Sequence, residues 1–398
     1  MDGDARDSEV LGDAVLCDVM LNDPASRTPG SFLSTVGGWS LGRGRDFVHR
    51  RLVWWVVWVA SGLALLISQT ARAQMLASRM TAYKDRMVWL YDHRPPLLPG
   101  EFRPPAALQD KAGYWDGMPD RSLLEKIRTR EIKQVTVNHG GSSVSLRLHL
   151  EGGVSAAFKP DQVYYQSMPR KEIAAYLVNR LLGLARVPPA TYRTVKKKVL
   201  FGKLRTSAWR RRRLLEEIED RRDGTVAGEV SWWIPRIRHV PLGKWSYRKR
   251  WYQWLKAYKR RPRRNYGMAA QLSVMLIFDF LIDNLDRFSG RNVCATVDGK
   301  HLYFMDNTLS FFPRNPRGTK TVRTGLWRVQ RFSKKMYRRL KELKKKKLRR
   351  ALSAYRDAPW DLLTEKELEM FMRRRAFALK YIHRMIALYG WEKTMVFP

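Results

Sequence analysis

Between Ile132 and Phe158 the chain alternates and pauses in a way that predicts three strands, Ile132–Val137, Val144–Leu150 and Val154–Phe158. In the middle segment Val144, Leu146, Leu148 and Leu150 face one way while Ser145, Arg147 and His149 face the other, the period of a half-buried strand. Asn138-His139-Gly140-Gly141 and Glu151-Gly152-Gly153 punctuate these runs as turns. The spacing then lengthens. Ile173, Tyr176, Leu177 and Arg180 recur at helical intervals and predict a helix over Lys171–Leu182, with a strand at Val187–Thr194 after it. Residues 196–264, rich in Lys, Arg and Trp, hold no sustained period and are expected to form an irregular, partly exposed insert. An apolar helix is expected over Met268–Asp283. Val293–Val297 and Lys300–Met305, joined by Asp298-Gly299, carry a hairpin signature. Beyond Thr319 the pattern is helical, with a Thr364-x-x-Glu367 capping box opening the last long helix and Gly390 closing it. No internal repeat is evident.

The first part of the chain reads differently. Residues 1–42 are acidic, contain Gly and Ser, and are expected to be a disordered tail. Leu52–Ala71 carries no charge and is about the ~20 residues a membrane-spanning helix needs, with its tryptophans toward one end. A transmembrane or signal-anchor helix is the expectation for 52–71. A buried helix, or a leader cleaved near Ala71-Arg72-Ala73, are the alternatives. Basic residues nearly balance across the span, so a single-pass protein is expected, with its N terminus on the cytoplasmic side as the working orientation. Residues 72–110 form a stem whose Pro-rich part, Arg94–Pro105, is too rich in proline for a helix. The folded domain is expected over 111–398, as a β-rich lobe to about residue 240 and a helical lobe from about 241.

Composition narrows the partners. The chain has 398 residues and a formal charge of +39. That charge attracts acidic proteins, anionic membranes or nucleic acid without choosing among them. Cys17 and Cys294 lie far apart, and there is no Asn-x-Ser/Thr sequon, which excludes a disulfide-bridged, glycosylated secretory scaffold. Charge clusters at Arg210–Arg213, Arg260–Arg264 and Lys344–Arg350 come with no nucleic-acid-binding motif, so nucleic acid is not the expected partner. Nothing in the pattern sets an oligomeric state.

Four residues carry the candidate chemistry. Phosphoryl transfer needs a cation on the phosphates, carboxylates for divalent metal, and a base beside the acceptor hydroxyl. Lys159, in Ala-Ala-Phe-Lys-Pro, ends the third predicted strand and is the candidate phosphate contact. Glu172 lies in the first turn of the next helix, placed to pair with Lys159 or to join a metal shell. Asp286 leaves the apolar helix in IFDFLIDNLDR (Ile277–Arg287) and is the candidate base. Asp306 follows the hairpin and is the principal candidate metal ligand, with Asn292 as a second metal contact. Gly140 and Gly141 sit where a phosphate-cradling loop belongs, although a plain hairpin turn explains them equally well. Asp279 and Asp283 are read as structural.

These segments, taken in order, resemble the secretory-pathway kinases that include the Golgi casein kinase and the proteoglycan xylosyl kinase, with four-jointed more distant. That group carries an IFDFL-x-x-N-x-DR segment, matched by Ile277–Arg287, and an LDN-x-x-x-F segment, matched by MDNTLSF at Met305–Phe311. Phe158-Lys159-Pro160, Glu172–Tyr176 and Arg186–Pro189 match its FKP, EIAAF and RVPP, and weaker similarity runs through Val226–Ile237 and Val329–Leu340. The likeness spans roughly residues 130–345. It implies an α+β, bilobal protein-kinase-like fold with a small β-rich N-lobe holding one helix and a larger helical C-lobe. It also implies ATP with Mn²⁺ or Mg²⁺ as cofactors, phosphate contact at Lys159, metal at Glu172 and Asp306, and base catalysis at Asp286. The family's disulfide cysteines are missing, which points to a bacterial-type or non-secretory relative. Phe288 and Ser289 replace two histidines common after the Asp-Arg pair. The expected activity is a membrane-anchored atypical kinase acting on a hydroxyl of an acidic protein or glycan acceptor. A phosphoinositide-type lipid kinase is the second reading, since the MDN segment also resembles type II phosphatidylinositol 4-kinases. A catalytically inactive basic scaffold, binding anionic membrane or nucleic acid, is the third.

Overall fold

The computed structural model describes residues 114–398 except 116, 139–142, 165, 261, 263, 264, 290, 291 and 356. The acidic tail, the apolar run 52–71, the Pro-rich stem and the Gly140-Gly141 pair therefore lie outside the described residues. Within them no helix is long and apolar enough to cross a membrane.

A short hairpin, β1 (Tyr114–Trp115) and β2 (Met118–Pro119), leads into α1 (Asp120–Thr129). The three expected strands follow as β3 (Ile132–Val137), β4 (Leu146–Leu150) and β5 (Ser155–Pro160), each antiparallel to the next. Leu146, Leu148 and Leu150 are buried, as the alternation requires. Strand β5 runs two residues past the predicted end, so Lys159 lies within a strand rather than beyond it.

Helix α2 (Pro169–Leu181) begins with Pro at its first turn, where the missing N–H costs nothing. It ends on Gly183 at φ 68°, with Gly183 N–H bonded to Arg180 O and Leu184 N–H to Asn179 O. All thirteen of its residues are buried, Arg170, Lys171 and Glu172 included. A helix covered on every side must pair its charges, and those pairs organise the site.

The segment 196–264 corrects the expectation of an irregular insert. After β6 (Ala190–Lys196) it holds α3 (Lys197–Gly202), β7 (Leu204–Arg205), α4 (Ala208–Glu217), β8 (Thr225–Trp232), β9 (Ile237–His239) and α5 (Trp245–Trp254). The six-stranded sheet runs β6-β8-β5-β4-β3-β7, which makes β8 an interior strand. Val226, Ala227, Glu229 and Val230 in β8 are all buried. With both faces covered, the strand shows no alternation, and Gly228 and Glu229 mask its apolar character.

The rest is mostly helical: α6 (Tyr266–Ile282), α7 (Lys320–Trp327), α8 (Lys334–Glu342), α9 (Lys345–Ser353), α10 (Glu365–Tyr389) and α11 (Trp391–Thr394). Between α6 and α7 stands the hairpin β10 (Val293–Thr296) and β11 (Leu302–Phe304), with β9 on the other edge of β10. Helix α10 opens on the capping box, with Glu367 N–H donating to Thr364 Oγ1 and Thr364 N–H to Glu367 Oε2. Cys294 is buried as a thiol on β10.

Candidate active site

Lys159 projects from β5 and donates to Asp306 Oδ1 at 2.7 Å, joining residues 147 positions apart. Asp306 follows β11 by two residues and takes φ 52°, a left-handed conformation that aspartate tolerates better than most residues. Thr308 Oγ1 donates to the same carboxylate oxygen at 2.8 Å. The Asp306 side chain keeps 32% of its surface exposed, so solvent can reach it. Burial works against its charge, but the Lys159 ammonium outweighs that and holds Asp306 below the usual aspartate range.

Glu172 does not make the direct pair with Lys159 that the sequence allowed. Both its oxygens are occupied by Asn307, whose N–H donates at 2.5 Å and whose Nδ2 donates at 2.8 Å. It thereby fixes the Met305-Asp306-Asn307 turn from below. Burial raises Glu172 above the ordinary glutamate range and nearby Asp306 adds to the rise, against the pull of Lys159 and Asn307.

Asp286 reaches the same region through Asn284. Asn284 Oδ1 accepts from Asp286 N–H at 2.9 Å, and its Nδ2 donates to Asp306 O at 3.4 Å and Asn307 Oδ1 at 3.1 Å. One buried amide thus spans the turn before the candidate base and the turn carrying the candidate ligand. The Asp286 carboxylate accepts from Asn292 Nδ2 at 2.9 Å and from the Ser289 hydroxyl. Asn292 therefore orients Asp286 in this structure, donating also to its backbone carbonyl. Arg287, next in the chain, pairs with Asp279 at 2.9 Å, donates to Asn307 Oδ1 at 2.6 Å and also meets the Met305 carbonyl. Asp279 thus serves the scaffold, as expected. Asp283 closes α6 at φ 54° and accepts from Thr319 N–H and Asn315 Nδ2, likewise structural.

The sequence reading missed one member of the cluster. Glu229 stands directly opposite Lys159 in the β5–β8 register and is fully buried. Burial drives its carboxyl well above the ordinary range and Glu172 reinforces this, with Lys159 and the Ser231 hydroxyl opposing more weakly. A buried acid within a Val-Ala-Gly-Glu-Val run was the available signal, hidden because the strand itself was not recognised. Lys159 feels all three acids. Burial alone would lower its ammonium, but Asp306, Glu172 and Glu229 together raise it above the usual lysine value.

Ionised, these three acids around one ammonium would carry an excess of negative charge that a divalent cation would offset. No group of three or more acid, His or Cys side chains among the described residues is arranged as a closed metal site. The donors present suit Mg²⁺ or Mn²⁺ held by one or two carboxylates, with phosphate and water oxygens completing the shell. Asp306 and Glu172 would hold it.

A strand lysine, a buried helix glutamate, a hairpin aspartate and a loop aspartate, set between a sheet and a helical half, define a protein-kinase-like fold. Among solved structures the chain is similar to the Golgi casein kinase with Mn and ADP bound, at TM-score 0.56 and 19% identity, covering 71% of this chain and 80% of that one. The Golgi casein kinase in a second structure matches at TM-score 0.55 and 19% identity, over 70% and 78% of the two chains. Hydra Fam20 with sugar matches at TM-score 0.57 and 20% identity, over 69% and 91%. The likeness is one of fold. No family model and no curated protein matches the sequence.

Proposed function

We propose that this chain is an atypical kinase that transfers the γ-phosphoryl group of ATP to a hydroxyl of a protein side chain or glycan. The observation that carries the proposal is the Lys159–Asp306 contact, with Asn284 linking Asp306 to the Asp286 loop. Lys159 would meet the phosphates, while Asp306 and Glu172 would hold Mn²⁺ or Mg²⁺. Asp286, oriented by Asn292 and Ser289, would take the proton as the acceptor oxygen bonds to phosphorus and the bond to ADP breaks. The manganese and ADP named with the Golgi casein kinase support the choice of cofactors. The charge of +39 favours acidic acceptors, and the apolar run 52–71 would tether the enzyme to a membrane.

Labelling a lysate with γ-labelled ATP tests this. Wild-type protein should phosphorylate discrete species, and Asp286→Ala should cut the rate by about 10²–10⁴-fold, the usual contribution of a positioned base. Equal labelling by both, or no metal-dependent nucleotide binding that Asp306→Ala abolishes, would sink the proposal.

A further inference from the structure

Glu229 is a buried acid for which the proposed chemistry has no use so far. Neither of its carboxylate oxygens makes a well-formed hydrogen bond among the described residues, and besides Lys159 only the nearby Ser231 hydroxyl favours its charge. It faces Lys159 across a strand pair, so the two side chains leave the same face of the sheet as direct neighbours. The backbone keeps these strands close. A Cβ on Gly228 would come within 2.5 Å of the Lys159 carbonyl oxygen and 2.7 Å of the Phe158 ring. An ionised carboxylate enclosed this way is costly unless a cation serves it at some stage.

Protein kinases pair the strand lysine with the helix glutamate. Here that glutamate, Glu172, is engaged by Asn307 at both oxygens, and the lysine is held instead by Asp306. If Asp306 is to coordinate metal, it must share or surrender that contact. The ammonium then needs a second anchor, and Glu229 is the acid across the sheet with capacity to provide one.

We infer that Glu229 is a positioning residue for Lys159, the carboxylate that holds its ammonium toward the nucleotide phosphates when Asp306 turns to a metal ion. The inference rests on the phosphoryl-transfer reading and adds to it a residue acting through the lysine rather than on substrate.

A double-mutant cycle on the full chain tests it, with calorimetric titration of ADP in the presence of Mn²⁺ and of Mn²⁺ alone. Glu229→Gln should weaken ADP binding about tenfold, the middle of the range for directly coupled groups. It should leave Mn²⁺ binding unchanged, and it should cause no further loss in a Lys159→Gln background. An unaffected ADP affinity, or the same loss with and without Lys159, would overturn the inference. Loss of Mn²⁺ binding would overturn it too, by making Glu229 a ligand. If Glu229→Gln does not fold, the Lys159→Met/Glu229→Leu double variant decides. A folded double variant supports the pairing, and an unfolded one assigns Glu229 to the scaffold and overturns it. Wild-type protein that binds no ADP with Mn²⁺ overturns the kinase proposal and this inference together, a result distinct from failure in the Glu229 variants alone.

Discussion

Two buried charge clusters sit on consecutive residues of α2 and are built on opposite principles. Arg170 and Lys171 converge on Glu367, two cations on one acid, with Arg170 donating to both carboxylate oxygens at 3.0 Å. Arg170 also reaches Leu362 O, and Lys171 donates to Ser310 O at 2.6 Å. One residue further on, Glu172 belongs to a cluster of three acids and one ammonium, in which no cation touches Glu229 in hydrogen-bonding geometry. The first cluster is closed. It pins the helix to the start of α10 and to the loop after Asp306. The second is short of positive charge and open on the Asp306 side. The surplus cation of the first cluster is taken up by the Leu362 and Ser310 carbonyl oxygens, whereas the surplus acids of the second would be served by a cation from outside.

Breaking the closed cluster should cost the most stability. Glu367→Ala removes the acid on which two buried cations converge, so denaturant unfolding should show a loss of about 3–5 kcal/mol. A loss under 1 kcal/mol would refute the lock. The same cluster sets a pH dependence. Burial alone would raise Glu367, but Arg170, Lys171 and the Thr364 N–H hold it below its usual 4.5. A carboxylate depressed in the fold contributes stability above about pH 4.5 that is lost as the pH falls toward its folded value, with a limiting slope of about 1.4 kcal/mol per pH unit. Glu367→Gln should flatten that part of the acid profile, and an unchanged slope would count against it. Lys171, which burial pushes down to about 8 despite Glu367, works in another window. Its penalty is relieved between about pH 8 and its unfolded value, so stability gains there as pH rises.

Smaller effects sharpen the contrast. Thr364→Ala removes the cap that seats Glu367 and should cost about 1 kcal/mol. The open cluster should show the reverse pattern. Asp306→Asn takes the counter-charge from Lys159 but keeps a hydrogen-bonding oxygen, so urea stability should fall by no more than about 1.5 kcal/mol while metal-dependent ADP binding disappears. Parallel loss of both would make Asp306 a structural residue and erase the distinction.

The candidate residues could be placed on elements from the sequence because each lies in or just after a strongly patterned one. Lys159 sits in an apolar strand, Asp286 follows an unbroken apolar helix, and Asp306 follows a hairpin whose turn residues are diagnostic. The capping box could be read for the same reason, since its two partners are three residues apart. What joins those elements could not be read. Asn284 and Asn307 are ordinary loop amides until folding makes them the links among Asp286, Asp306 and Glu172. Arg170 and Lys171 look like surface charges until Glu367, almost two hundred residues away, meets them. Strand β8 was invisible because burial on both faces removes the alternation that marks a strand.

Local pattern in the sequence therefore determined the strongly patterned elements and the lysine and acids in or beside them, since helix caps, turns and side-chain period act over a few residues. Only the tertiary structure decided which charges meet. Coulombic attraction and the cost of burial depend on distance in space and on what encloses a group, and neither is written in spacing along the chain.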